Sequence, residues 1–171
     1  MPLSNTQIGA SLKGDLSSAL DLTTALATHN LSRGTAFDNG TGAGQVDRIF
    51  SDTRTLTASS SEDLDLVGTL TDAFGATVTF ARIKGILVSA ATGNTNNVVV
   101  GGVAAAWASL LSPAASGLIT LRPGSFFVAG CGAADATGWV VTATTADLLH
   151  VANSAGGTSV TYDVVVIGCS A

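Results

Sequence analysis

The chain has 171 residues and a formal charge of -5, with 46% hydrophobic and only 11% charged side chains. An average soluble domain carries about 25% charged residues, so a free monomer of this composition has little to keep its copies apart and reads as one subunit of an assembly. The balance also argues against a nucleic-acid surface, since Lys13 and Lys84 are the only lysines and phosphate backbones are held by clustered cations.

One domain fits this length, and its fold is expected to bury roughly 70% of the surface the unfolded chain exposes. The start, Met1-Pro2-Leu3-Ser4-Asn5, shows no basic region followed by an apolar one, which predicts a product made in the cytoplasm without a signal peptide. The longest apolar-leaning run, Val98 to Leu111, has 14 residues, short of the roughly 18 to 20 that span lipid. No membrane partner is expected.

In chain order, the first fifty residues carry two conflicting patterns: Leu16, Leu20, Thr23 and Ala27 fit a weak helical stripe, whereas Ile8, Ala10 and Leu12 alternate as a strand does. Asp38-Asn39-Gly40-Thr41-Gly42-Ala43-Gly44-Gln45 reads as the most flexible part of the sequence. It is expected to be a hinge between an N-terminal arm, residues 1–45, and a body, residues 46–171.

From Thr53 onward, short runs of Val, Thr, Ile and aromatic residues are separated by Gly, Asn, Asp and Ser turns, which predicts an all-β body. Thr53 to Thr57 and Glu62 to Val67 form the first expected pair of strands, with Leu64 and Leu66 inward and Asp63 and Asp65 outward. Thr77 to Ser89 is long, and its apolar face switches near Ala81 and Arg82: Val78 and Phe80 lie on one side, Ile83 and Leu87 on the other. A bulge or bend there is expected.

Asn97 to Gly101 follows a polar turn, and Val103 to Leu111 fits either a short helix or an apolar loop. Leu118 to Leu121 and Ser125 to Ala129 flank a Pro123-Gly124 turn. Trp139 to Ala143, Asp147 to Ala152 and Ser159 to Ile167 complete eight or nine strands at irregular spacing. That suits a single β-sandwich or jelly roll better than a propeller of equal blades.

No catalytic or cofactor-binding residue is assigned, and no cofactor is expected. Gly40-x-Gly42-x-Gly44 lacks the strand, helix and βαβ context of a phosphate loop and reads as a turn. Glu62, Asp63 and Asp65 crowd three carboxylates, but alternation splits them between faces and no calcium-loop spacing follows. His29 and His150 stand apart without a neighbour at metal-ligand spacing, so no metal site is expected. No Gly-x-Ser-x-Gly elbow marks a nucleophile, and the chain is expected not to be an enzyme. Cys131 and Cys169, thirty-eight positions apart, are expected to be free thiols.

Trp107 and Trp139 sit in apolar neighbourhoods and read as core rather than as a sugar-binding platform. Arg48 and Arg54 flank Phe50 among Asp47 and Asp52, an alternation of charge that fits either contacts between subunits or an intramolecular surface pair. The residues expected at an inter-subunit contact are Arg48, Phe50, Asp52, Arg54 and Trp107.

The blocks Asn39-Gly40-Thr41-Gly42, Asp47-Arg48-Ile49-Phe50-Ser51-Asp52-Thr53-Arg54-Thr55-Leu56, Glu62-Asp63-Leu64-Asp65-Leu66 and Leu70-Thr71-Asp72-Ala73-Phe74-Gly75 resemble a family of small virion proteins of tailed bacteriophages. So do Thr79-Phe80-Ala81-Arg82-Ile83-Lys84, Arg122-Pro123-Gly124, Asp135-Ala136-Thr137-Gly138-Trp139 and the final Val160 to Gly168. The resemblance is weakest over the first 35 residues. It implies a virion component, and with the small size and low charge a capsid decoration, or cement, protein on the outer surface of the head. Its implied partners are itself, as a homotrimer, and a major capsid protein. The other station it implies is the tail, the neck or a glycan-binding adsorption protein.

Overall fold

The computed structural model describes residues 2–103, 106–107, 110–111 and 116–171. The strands are β1 (Thr6–Ala19), β2 (Thr24–Asn39), β3 (Gln45–Val46), β4 (Arg48–Leu56), β5 (Ser61–Asp65), β6 (Val67–Thr71) and β7 (Thr77–Thr79), then β8 (Arg82–Ala90), β9 (Val98–Gly101), β10 (Leu118–Leu121), β11 (Phe126–Gly130), β12 (Trp139–Val140), β13 (Leu148–Asn153) and β14 (Val160–Cys169). No helix occurs among the described residues. The all-β expectation holds.

Two antiparallel sheets make the body. One has the order β10-β9-β13-β5; the other runs β11-β8-β14-β4, with β12 also paired to β8. The chain passes from one sheet to the other between β4 and β5, β8 and β9, β10 and β11, β12 and β13, and β13 and β14, so many neighbours in sequence face each other across the core. The expected pairing of the strands around Thr55 and Leu64 is corrected accordingly, because β4 pairs with β14 and β5 with β13.

Alternation explains which residues meet inside. Phe50, Leu56, Ile86, Val88, Val160, Tyr162, Val164 and Val166 point from one sheet toward Leu64, Val98, Val100, Leu121, Leu149 and Val151 of the other, in one continuous cluster. Burial of such side chains contributes roughly 1.5–3 kcal/mol each. The charge-free stretch from Gly85 to Leu121 supplies most of β8 and all of β9 and β10. Ile86, Val88, Ala90, Val98, Val100, Trp107 and Leu121 within it are buried by the chain's own core, so part of its neutrality is accounted for inside the subunit.

The face switch predicted near Ala81 falls in two steps. The chain leaves its β6 partner after β7, and a bulge then sets Ile83 opposite Gly168 and Gly85 opposite Ile167, leaving Lys84 as the extra residue. That shift lets Ile83 and Ile86 both enter the core while Leu87 turns outward, so Ile83 and Leu87 do not share a face as the unbroken alternation suggested. The Val103–Leu111 segment lies partly outside the described residues, at 104, 105, 108 and 109. Where described, Ala106 forms a bridge to Leu148 and the Trp107 N–H donates to the Leu148 carbonyl at 2.8 Å.

Both cysteines are free and buried. Burial, followed by the charge of Asp135, pushes the Cys131 thiol from 9.0 up to about 11, and burial likewise pushes up that of Cys169. Ellman's reagent at pH 8 is expected to find no thiol in the folded protein and both after denaturation. Because the folded chain holds these protons more tightly, the associated stability is complete below about pH 9 and declines as pH climbs toward about 11, where the unfolded chain ionises first. Rapid labelling of the native protein would contradict the packing around both sulfurs.

Candidate functional site

Polar networks in the body serve its own structure. Arg54 donates from Nε to Glu62 Oε2 at 2.7 Å and from Nη1 to Asp52 at 2.8 Å, while the Tyr162 hydroxyl donates to Glu62 Oε1 at 2.8 Å. These bonds, led by the one to Glu62, raise the Arg54 pKa, and burial raises that of Tyr162. The cluster ties β4 and β14 of one sheet to β5 of the other. Asp63 meets His150 at 2.6 Å, and Asp65 accepts from the Val67 N–H at 2.8 Å, so each of the three crowded carboxylates has its own partner. Among the described residues no group of three or more His, Cys, Asp and Glu side chains is placed to hold a metal ion.

The residues expected between subunits fall in two groups. Arg48 pairs with Asp47 at 3.1 Å, and Arg54 pairs with Asp52 and Glu62, which is the intramolecular alternative for these side chains. Phe50 and Trp107 are corrected as surface contacts, because they are 3% and 2% exposed inside the core. The Trp107 indole Nε1–H donates to the Val140 carbonyl at 3.1 Å, and its ring meets Trp139 edge-on with centroids 6.4 Å apart. Packing hides it from any external partner.

The Gly-rich run is also corrected, from hinge to pinned loop. Asp38 N–H donates to the Gly44 carbonyl at 3.0 Å and Gly40 N–H to the Val46 carbonyl at 3.1 Å, and Gly42 N–H donates to Gln45 Oε1 at 2.9 Å. Arg82 reaches the Thr41 carbonyl at 3.0 Å. Lys84, fully buried, donates to the carbonyls of Gly42 at 3.2 Å and Asp135 at 2.5 Å. The amides of Asp38, Gly40, Gly42 and Gln45 are thus engaged within the chain.

What remains unpartnered is the arm. Strands β1 and β2 pair antiparallel from Thr6 opposite Phe37 to Ala19 opposite Thr24, a hairpin about 48 Å long at ~3.4 Å per residue. The Leu20 N–H donates to the Thr23 carbonyl at 2.8 Å to close the tip. The alternating pattern in Ile8, Ala10 and Leu12 therefore wins over the helical stripe.

Register sorts the side chains by face. Ile8, Ala10, Leu12, Gly14 and Leu16 share one face with their cross-strand partners Thr35, Arg33, Leu31, His29 and Ala27, and Gln7, Ser11, Lys13, Asp15 and Ser17 project from the other. On the first face Leu12, Leu16 and Leu31 remain 69%, 70% and 55% exposed. Such a row of leucines normally marks a surface that another protein covers.

Only the root of the arm is buried. Phe37, Val46 and Ile167 form a small second core joined by Leu3 and Ile8. Gly85 and Gly130 make the seat for Ile8, since a Cβ added at either would lie 2.8 or 2.6 Å from its side chain. Of the surface grooves, the one beside Arg48, Ile49, Asp72 and Phe74 encloses about 450 Å³. Comparison with family models, curated proteins and solved structures finds no match.

Proposed function

We propose that this protein is a bacteriophage virion structural protein, a capsid decoration (cement) protein that binds the outer surface of the head and stabilises contacts between capsomers. The observation that carries this reading is the exposed hairpin with a leucine face that the subunit's own body leaves bare. An arm of that kind is suited to lapping over a neighbour, and the sequence blocks described above resemble those of tailed-phage virion proteins. Its partners on this reading are further copies of itself, as a homotrimer, and a major capsid protein.

Energetics favour such a design. One modest contact repeated around a closed shell adds up to substantial resistance against internal pressure, and low surface charge limits repulsion between crowded copies. Placement in the tail or neck, or as a glycan-binding adsorption protein, draws no support from Trp107, which the core encloses.

Counting copies in purified particles tests the reading. Quantitative mass spectrometry is expected to find hundreds of copies per virion, and isolated protein is expected to bind assembled heads. A count of about a dozen or fewer would match a tail or neck ring instead.

A further inference from the structure

We infer that the leucine face of the arm docks on a second copy of the chain, across the outer face of that copy's β11-β8-β14 sheet. The inference rests on the self-associating reading above and names the two surfaces that meet. Since Tyr162, Val164 and Val166 of β14 point into the core, Asp163, Val165 and Ile167 point out. Register then lays Val165 beside Leu87 and Leu87 beside Val128, with Asp163, Ser89 and Phe126 in the next row. Phe126 is 66% exposed, and the Val128–Leu87–Val165 row is half-buried.

The chain's own arm borders the Val128 end of this row, where Ala10 and Arg33 line a cleft with Val128. Ile8 seats on the adjoining Gly130–Gly85–Ile167 row, but the leucines beyond it stay exposed. Two apolar surfaces thus meet at Ile8, one on the arm and one on the sheet, and a second copy offers the complement of both.

Charge agrees. The leucine face of the arm carries Arg33 and His29 and no carboxylate, whereas Asp163 lies in the row of Ser89 and Phe126; the cations of β8, Arg82 and Lys84, are engaged by the carbonyls of Thr41, Gly42 and Asp135. Area agrees as well. Beyond its buried root the face runs from Ala10 to Ala19, about 34 Å by ~10 Å or roughly 340 Å², short of the ~800 Å² per partner of a stable complex. Reciprocal exchange, in which each copy gives an arm and receives one, doubles the figure to about 680 Å² per partner, within the range of specific interfaces, and closes the assembly.

The test is sedimentation equilibrium of the full chain, with protection of Cys131 and Cys169 from Ellman's reagent as the control for folding. Leu12→Ser with Leu31→Ser, both on the solvent side of the arm, is expected to weaken self-association about 100-fold. Arg33→Glu and Asp163→Arg should each weaken it, and the two together should restore it. If the leucine pair changes nothing, the arm contact is overturned while self-association stands. If the leucine pair weakens association but the charge swap gives no rescue, the outer sheet is overturned as the arm's seat. A wild-type chain that stays monomeric through the micromolar range overturns both this contact and the self-associating reading.

Discussion

Excising residues 11–32 and joining Ala10 to Arg33 through an Asn-Gly turn is expected to leave the body intact and abolish self-association and head binding. Ala10 and Arg33 face each other in the hairpin ladder, so a two-residue turn can close the shortened arm without moving either strand. Ile8 and Phe37, which hold the root, remain in place, and every member of the main core lies beyond residue 46. Urea unfolding should therefore change by no more than about 0.5 kcal/mol. Removing residues 1–37 outright is a poorer test, because it would take Phe37 and Ile8 from the second core and bare Gly85, Gly130 and Ile167.

The same variant separates two candidate sources of self-association, the arm and the body. A free hairpin of two strands is marginally stable in water, and both long edges of the arm offer unpaired backbone beyond the short β3 contact at Asp38 and Asn39. Such edges invite association with other strands. If the shortened chain is monodisperse where the full one assembles, the arm is the adhesive element. If both assemble alike, the body itself carries the contact and the leucine face has no part in it.

How far the sequence reveals this arrangement depends on where the physical signal is local. Leu64 and Leu66 alternate with Asp63 and Asp65, and the structure buries the leucines while the aspartates face outward or lie half-buried. Strand identity is legible because a single face decides it. Pairing is not: β4 and β5 follow each other closely yet belong to opposite sheets, meeting across the core around Phe50, Leu56 and Leu64 and through Arg54 reaching Glu62. Ile83 shows a further limit, since the bulge that redirects it depends on Gly168 and Ile167 more than eighty residues away.

The arm was obscured for a different reason. Leu16 and Leu20 fit a helical spacing as well as an alternating one, and nothing local states that Ala27 will lie opposite Leu16. The signal that could have found the hairpin is joint: alternation in Ile8, Ala10, Leu12, Gly14 and Leu16 mirrored by Leu31, His29 and Ala27 about a turn at Asp21-Leu22. The Gly-rich run misled in the opposite sense. Its glycines do provide unusual backbone, with φ of 146° at Gly40 and 64° at Gly44, but that freedom shapes a loop that side chains then clamp.

Lys84 is the chief clamp, and Lys84→Met is expected to cost about 1–3 kcal/mol of stability while loosening the root of the arm. Its stem is enclosed completely, so methionine keeps most of the packing and removes the ammonium alone. The Asp135 carbonyl then loses the ammonium donor, and the Gly42 carbonyl keeps only the Gln45 N–H at 3.3 Å; an acceptor left dry costs more than a hydrogen bond exposed to water gains. Lys84→Ala should cost more, about 2–5 kcal/mol, because a cavity is added to the same loss. Hydrogen exchange gives the positional readout: Asp38, Gly40 and Gln45 amides should exchange faster in Lys84→Met, whereas those of β9 and β13 should keep their protection relative to global stability. Equal acceleration everywhere would mean that the lysine supports the fold in general and does not tether the arm to the sheet.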